Sequence, residues 1–544
     1  MNVLLIVPRY SFENYAFYEY PFPVGLSYIA AVIKKSGNFL KAINLNHFSG
    51  KTDIIIENEL NKQNYDIVCS GSNARGYHYM DEIIKVCRKH KTNPIVIIGG
   101  PIITTEPELI FKSLRPDIGV IGEGEEIIVE ILEWTKTKNQ KTLEKINGII
   151  FVDKEKNIRI TEKRKIISNL NLIPFPDFES LDYMTYLKNL SSSADFCNNP
   201  FDHPRTYSLI CSRSCPFQCT FCYHDGYYRQ RSLDNVFEEI EYAIKKYQIN
   251  SINIFDDCFA INKERFVEFC QRIQKIRNNL NYELKWMCQL TVKSADFDTL
   301  KLLKQSGCNT VSLGFESYSP EVLKSMKKPI TPEMIDSAFK NAMKLGITVG
   351  GNFIFGDVAE TIETSNITLD YWKNECLGQL GLSFIQPYPG SEIYKHCLEK
   401  GIITDKLDFI KNKLSTSVAF WYNMTDKMSD EEIKKLRKDV LDAQAKYCKF
   451  IVPDKMKKDN NPRCYKIIVT CPFCNKKIIY KNFRIIKKYW FFFGIGSATV
   501  CRNCNKRFFI VSRIEKFAYK NYVSVRKIRD FLERLRINIK KKNV

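Results

Sequence analysis

Short unbroken apolar runs alternate with longer stretches of helical period along the first 400 residues. Val3-Leu4-Leu5-Ile6-Val7 is apolar at every position, the pattern of a strand buried on both faces. Asp66-Ile67-Val68-Cys69-Ser70 and Pro94-Ile95-Val96-Ile97-Ile98 repeat it. Pro23 to Lys35 sets Leu26, Ile29, Ala30 and Ile33 on one side of a helix. Gly119-Val120-Ile121-Gly122 runs into Glu123-Gly124-Glu125-Glu126 and another helix. Repeated strand–helix units over residues 1–150 predict a doubly wound parallel sheet. Such sheets bind ligands beyond the carboxyl ends of their strands. Those ends carry Ser70-Gly71-Ser72, Gly99-Gly100-Pro101 and Gly122-Glu123-Gly124-Glu125.

Residues 151–203 mix Pro and apolar residues with a Ser- and Asn-rich stretch, which predicts a connector running over the surface. The alternation then resumes over 204–400. Candidate strands are Tyr207–Cys211, Ile252–Phe255, Leu284–Leu290, Thr310–Phe315, Val349–Phe355 and Leu382–Gln386. Between the first two, Leu233, Val236, Phe237, Ile240, Ala243, Ile244 and Tyr247 fall at helical spacing behind a Ser232 N-cap. Six units are too few for an eightfold barrel and predict a partial (β/α)6 barrel with an open side. Polar residues gather at the strand ends: Asp256-Asp257, Gln289, Glu316-Ser317 and Gly356-Asp357. Function collects at such ends in barrels. Residues 401–452 read as a charged helical extension, with Ser429-Asp430-Glu431-Glu432 as a helix start.

Two cysteine constellations interrupt this pattern. Cys215, Cys219 and Cys222 fall within eight residues, on the loop between the strand ending at Cys211 and the helix beginning at Leu233. One loop with this spacing can wrap a single metal centre. Three ligands on a four-iron cube leave one iron open to a small molecule. The second constellation is Cys471-x2-Cys474 and, after 26 intervening residues, Cys501-x2-Cys504. Two such knuckles favour tetrahedral zinc held by four thiolates, a closed structural site, with a second iron–sulfur cluster as the runner-up. An apolar hairpin around Trp490–Phe493 can fill the insert.

Cys215-x3-Cys219-x2-Cys222, with Phe221 before the last cysteine, resembles the signature of radical S-adenosylmethionine enzymes. Ser212-Arg213-Ser214-Cys215-Pro216 resembles the subgroup with an N-terminal cobalamin-binding domain, as do Pro23-Val24-Gly25-Leu26, Gly99-Gly100-Pro101 and Gly122-Glu123-Gly124-Glu125. That resemblance implies a 4Fe–4S cluster on the three cysteines. Its open iron takes the amino and carboxylate groups of S-adenosylmethionine. Reduction, by a donor such as flavodoxin or ferredoxin, releases a 5′-deoxyadenosyl radical. The resemblance further implies that Glu316 contacts S-adenosylmethionine, that the segment ending at Gly356 packs on adenine, and that Tyr223 faces the adenosyl group. A flavodoxin-like first domain would hold cobalamin through the loops at Ser70, Gly99, Gly100, Gly122 and Glu123. Two departures stand out. The Asp-x-His-x-x-Gly motif that gives cobalt a histidine is absent, so His47 and His78 are not expected as ligands. Thr291 replaces an Arg common in the subgroup.

Composition adds two constraints. Nineteen cysteines with metal spacings argue for a reducing cytoplasm rather than a secreted disulfide framework. No apolar run is long enough for a signal peptide or a membrane helix. The net charge of +21 is concentrated in residues 451–544, which hold 25 Lys and Arg against 5 Asp and Glu. A basic, zinc-ribbon-like tail over 453–544 is therefore expected, with an acidic partner. Three functions follow: a radical enzyme that methylates or oxidatively cyclises an unactivated carbon; an RNA-modifying radical enzyme gripping through the tail; or a non-catalytic cluster protein.

Overall fold

The computed structural model describes residues 1–10, 20–193, 200–414, 422–461, 463–485 and 497–521. Its first sheet contains β1 (Asn2–Val7), β2 (Phe39–Asn44), β3 (Ile67–Gly71), β4 (Ile95–Gly99), β5 (Ile118–Val120), β6 (Ile149–Val152) and β7 (Ile158–Ile160). The order is β2-β1-β3-β4-β5-β6-β7. The first five strands are parallel, and β6 and β7 join antiparallel. The order 2-1-3-4-5 is that of flavodoxin-like sheets, whose ligands sit at the β1/β3 switch point. The unbroken apolar run of β1 serves both faces. Val3, Leu5 and Val7 pack into one core with Ile33 and Ile131, while Leu4 and Ile6 pack into another with Ile56 and Ile83. Residue 150, the expected boundary, falls inside β6, and the sheet runs on to Ile160.

The stretch expected to cross the surface does not do so. Phe178, Leu181, Tyr183 and Leu187 are buried. The Tyr183 hydroxyl donates to the Thr206 carbonyl, and the Phe178, Tyr183 and Tyr207 rings pack together. Aromatic side chains bury enough apolar area to override the local loop chemistry. They weld the first sheet to the second in one continuous core.

The second sheet begins with β8 (Thr206–Leu209), followed by a short antiparallel hairpin, β9 (Ser212–Arg213) and β10 (Arg229–Gln230). Then come β11 (Ser251–Ile254), β12 (Lys285–Leu290), β13 (Cys308–Leu313), β14 (Thr348–Gly350), β15 (Asn352–Phe355) and β16 (Gly381–Phe384). The order β8-β11-β12-β13-β14 is parallel throughout, and β15 pairs in parallel with β16. All six predicted strands are present. The fifth is split at Gly351 into β14 and β15, and a bridge from Glu316 to Phe353 carries the sheet across the break.

Helix Asp430–Tyr447 opens on a Ser429–Glu432 capping box and buries Ile433, Leu436 and Val440. Beyond it lie β17 (Phe450–Ile451), β18 (Lys455–Lys458), β19 (Cys464–Thr470), β20 (Lys477–Arg484), β21 (Ser497–Val500) and β22 (Arg507–Ile510). Strands β18-β19-β20 form an antiparallel sheet, and β22 pairs with both β17 and β21. This module docks on the amino ends of the central strands. Arg502 pairs with Asp202 at 2.7 Å, before β8. Thr348, the first residue of β14, donates to Asn505 O, and Gln379 exchanges two hydrogen bonds with the Arg507 backbone just before β16. The Trp490–Phe493 hairpin and the chain after Asn521 lie outside the described residues. Among the described residues no helix is long and apolar enough to cross a membrane.

Candidate active site between the two sheets

The β9/β10 hairpin is the base from which the three-cysteine loop projects, at the carboxyl end of β8. Asp256, just past β11, holds the hairpin's root. Its carboxylate accepts from the Cys211 N–H and the Ser212 hydroxyl, both at 2.6 Å. Burial pushes this carboxyl up to about 6 despite those bonds. Cys211 is buried beside it and belongs to the core. Farther out, the Ser214 hydroxyl donates to Asp225 O and closes the loop. The Thr220 N–H donates to Met326 O, and the Thr220 carbonyl accepts from the Ile393 N–H. The loop is thus pinned at both ends and in the middle.

Cys215, Cys219 and Cys222 lie close enough to act on one another electrostatically, and burial raises the Cys215 and Cys219 thiols. Three thiols on one loop suit a soft iron–sulfur centre. Glu316 and Lys328 complete the local charge. The Lys328 ammonium donates to Glu316 Oε1 at 2.9 Å, with both side chains largely buried. Burial works against the Lys328 charge, but Glu316 and the Cys219 thiol raise its pKa above the usual lysine value. The pair needs Gly314: a Cβ there would meet Glu316 Oε1 at 2.5 Å and Lys328 Nζ at 2.7 Å. Glu316 itself takes a left-handed backbone, φ 59°, where a non-glycine residue is uncommon and strain marks function.

Beyond the carboxyl ends of the first sheet lies a cavity of about 570 Å³. Ser70, Gly99, Gly100, Gly122 and Glu123 line it, as expected for a ligand of that sheet. Ser212, Arg213, Ser214, Phe255 and Asp257 of the second sheet line it too. The cavity therefore reaches the root of the cysteine loop. Gly100 has φ 87°, and a Cβ there would meet Ser72 O at 2.7 Å, so the two loops approach as backbone. Ser72 lines the cavity, and its hydroxyl, buried against Gly76, has no hydrogen-bond partner among the described residues. An orphaned buried hydroxyl costs roughly 1–3 kcal/mol and points to a ligand bearing polar groups. These features fit an amide-fringed macrocycle such as cobalamin. Among the described residues no histidine lines the cavity. His47 is engaged by the Tyr20 hydroxyl at 2.6 Å and Asp182 at 3.2 Å, and His78 Nε2 by Lys411 O at 2.8 Å.

Glu123 has another role besides lining this cavity. Its oxygens are taken by Arg213 at 2.9 Å, by Arg229 at 2.9 and 3.0 Å and by the Ile167 N–H at 2.8 Å. Arg213 also reaches Glu125 and lies over the Tyr28 ring. Burial opposes the Glu123 charge, but Arg229 and Arg213 hold the carboxyl below its usual range. This network clamps the fifth-strand loop of the first sheet to the hairpin that carries the cysteines.

Glu316, Gly356, Tyr223 and the three cysteines do not line the cavity. The Gly356 N–H donates to buried Glu360 at 2.7 Å. Tyr223 packs so closely on Gly390 that an added Cβ would meet its ring at 2.5 Å. Gly390 lines an outer groove together with Gln218, Cys219, Cys222, His224 and Lys327. Thr291 caps the turn at Val292–Ser294. Sequence reasoning missed Lys328 and Arg229. Neither lies in a motif; only the clustering of strand ends in space brings them to the site.

The Radical SAM superfamily profile matches residues 209–369, and the B12 binding domain profile matches residues 16–132. This is a radical SAM protein with a B12-binding domain. A relative from Pyrococcus horikoshii, named an uncharacterized methyltransferase, is 28% identical over 70% of this chain and 79% of its own. The anaerobic magnesium-protoporphyrin IX monomethyl ester cyclase of Cereibacter sphaeroides is 24% identical over 63% of this chain and 55% of its own. The solved structure of TsrM, a radical S-adenosylmethionine methyltransferase from Kitasatospora setae with cobalamin and a 4Fe-4S cluster bound, superimposes at TM-score 0.59. It shares 17% identity over 73% of this chain and 75% of that chain, a likeness of fold.

The second cysteine site of this radical SAM protein lies apart from the first. Cys471, Cys474, Cys501 and Cys504 place four sulfurs within 4.8 Å of one another. The Lys476 N–H lowers Cys474 to about 6, ahead of its neighbours' contributions. Four thiols this close are compatible with one tetrahedral ion and leave no open position.

Proposed function

We propose that this chain transfers a methyl group to an unactivated carbon of a substrate held in the cavity between the two sheets. The observation that carries the reading is that one cavity is lined both by the glycine loops of the B12-binding sheet and by the residues leading into the cysteine loop. When bound, the cluster with S-adenosylmethionine supplies a 5′-deoxyadenosyl radical and cobalamin supplies a methyl group. The chain's own part is placement. Cys215, Cys219 and Cys222 hold the cluster. Glu316, oriented by Lys328, presents a carboxylate to the ammonium end of S-adenosylmethionine. Ser72 and the backbone at Gly99, Gly100 and Gly122 receive the corrin edge. Apolar Leu5, Ile97, Val120 and Ile128 keep water from the cavity. In the outer groove, Gln218, His224 and Lys327 surround the exposed side of Cys222, where an electron donor such as flavodoxin can approach. The central strands form the partial barrel, and the four-thiol module is a zinc ribbon.

Oxidative cyclisation needs the same radical and is the second reading, favoured by the likeness to the cyclase. Its product gains no methyl carbon. Gripping RNA through the basic tail is disfavoured, because the described part of the tail docks on the amino ends of the strands whose carboxyl ends carry the cysteine loop. The test is anaerobic reconstitution with iron, sulfide and hydroxocobalamin, followed by incubation with reductant and S-adenosylmethionine. We expect about four irons and one corrinoid at the catalytic core, and formation of 5′-deoxyadenosine. A protein that binds both groups but forms no 5′-deoxyadenosine is a binding protein, and the enzyme reading then fails.

A further inference from the structure

The loop after β11 sorts its side chains by alternation. Asp256 turns inward to the Cys211 N–H and Ser212. Its neighbours Phe255 and Asp257 both turn into the cavity. Phe255 keeps 43% of its surface exposed there, unusual for so large an apolar side chain at the end of a central strand. The cavity has four charged lining residues, and three of them, Arg213, Glu123 and Glu125, are spent on one another. Asp257 makes no hydrogen bond or ion pair with any described residue. It lies near enough to Cys215 to influence its thiol, so it stands at the end of the cavity next to the cysteine loop.

A carboxylate that no described residue hydrogen-bonds, with His224 acting on it only from beyond that distance, forms beside an exposed aromatic ring a recognition pair for a cation. The carboxylate supplies charge, and the ring supplies its negative face. An apolar cavity strengthens both, because an unpaired charge in low dielectric gains most from an opposite one. The Ser72 hydroxyl and the glycine loops lie on the first-sheet side, so this pair is left for the substrate.

We infer that Phe255 and Asp257 form the subsite for a substrate ammonium group, and that the substrate is a largely apolar molecule carrying a basic amine near its reacting carbon. This rests on the proposed function above. The test uses the full chain loaded with cluster and hydroxocobalamin, with hexylammonium and its neutral counterpart 1-hexanol as probes in equilibrium dialysis. Loaded wild-type protein should bind hexylammonium about tenfold more tightly than 1-hexanol. Asp257→Asn should abolish that preference while leaving hexanol binding, iron content and corrinoid content unchanged. Phe255→Leu should weaken hexylammonium about threefold. A second measurement needs no variant: raising salt from 50 to 500 mM should weaken hexylammonium severalfold and leave hexanol alone. Equal binding of the two probes, or a preference that survives Asp257→Asn, overturns the subsite. Loss of corrinoid from Asp257→Asn also overturns it, because the carboxylate would then belong to the corrin. A wild-type protein that takes up no cluster or corrinoid sinks the functional reading itself, a result distinct from a loaded protein without preference.

Discussion

Cys471, Cys474, Cys501 and Cys504 converge from two knuckles on one point, at the amino ends of the central strands. Cys215, Cys219 and Cys222 come from one loop at the carboxyl ends, with Cys222 exposed. At ~3.3 Å per residue, the three- to six-residue strands separate the two ends by roughly 10–20 Å. The four-thiol site closes on itself and is surrounded by its own small core of Ile467, Val469, Tyr480 and Phe508. The three-thiol site is one ligand short of closure, and Glu316, Lys328 and Asp257 lie close enough to act on its thiols. Number of ligands and placement on the sheet decide together which metal site can do chemistry. A closed site at the amino ends stabilises; an open one at the carboxyl ends reacts.

Breaking one ligand in each site gives the largest contrast. Cys219→Ala should abolish the iron-dependent visible absorbance and reduce 5′-deoxyadenosine to background, a loss of at least 100-fold, with little change in thermal stability. Cys211→Ala should leave the iron intact. Cys474→Ala should do the reverse: release zinc and expose the tail to protease while the cluster spectrum persists. Because β22 also pairs with β17 and Arg507 is tied to Gln379, loss of zinc should lower the melting temperature by several degrees as well. If Cys474→Ala removed the iron, or Cys219→Ala kept four irons, the two sites would not be the independent units described.

The clamp offers a smaller effect confined to the reactive end. Arg213→Ala strips one partner from Glu123. Cutting a buried pair costs about 3–5 kcal/mol. Here Glu123 keeps Arg229 and the Ile167 N–H, and the Arg213 side chain is 19% exposed. About 1–3 kcal/mol is therefore expected, read as a shift of the urea midpoint. Corrinoid retention should fall more than iron content, because the cysteines keep their own anchors at Thr220 and Asp225. Equal losses of both would mean the arginine only supports the hairpin. Lys328→Met should act on neither metal. It frees Glu316 from its orienting partner and should raise the S-adenosylmethionine requirement about tenfold, with iron unchanged.

Much of this was legible in the chain. Apolar runs named β1, β3 and β4, because a strand buried on both faces is mostly apolar, whereas β2, β6 and β7 were not named; the strands of the second sheet were named although they bury Ser208, Asn253 and Thr310. The ligand loops of the first sheet were legible for a related reason: glycine at a strand end signals backbone approach, as Gly100 against Ser72 shows. Partners distant in sequence were not. Glu123 and Arg229 are 106 residues apart, and nothing in either segment specifies the other. The connector misled because its Pro, Ser and Asn residues were read as surface chemistry, whereas Phe178 and Tyr183 decide its burial. Asp256 and Asp257 were indistinguishable as neighbours in a sequence. Only the pleat, which turns one inward and the other into the cavity, separates them.

The finest distinction between the two ends is proton-linked. Glu360 sits just after β15, at the carboxyl face, buried with its Oε2 accepting from the Gly356 N–H. Burial raises this carboxyl from 4.5 to about 8, and the Gly356 hydrogen bond only partly opposes the shift. The unfolded chain releases this proton near pH 4.5, whereas the folded chain keeps it until about pH 8. Between those values the native state binds more protons than the unfolded state, so stability falls as pH rises. The contribution is complete below pH 4.5 and lost above about pH 8. Glu360→Gln keeps an oxygen for the Gly356 N–H and removes the titration. Urea midpoints measured at pH 5, 6.5 and 8 should therefore decline less steeply in the variant than in wild type, the gap widening with pH. Asp256 titrates in the same direction and contributes to both proteins, so only the difference between them is diagnostic. The four-thiol module, whose contacts lie at the other ends of the strands, should show the same protease resistance in both proteins across this range. Parallel pH profiles for the two proteins would mean that Glu360 is ionised in the folded chain and that the Gly356 bond, not burial, sets its charge.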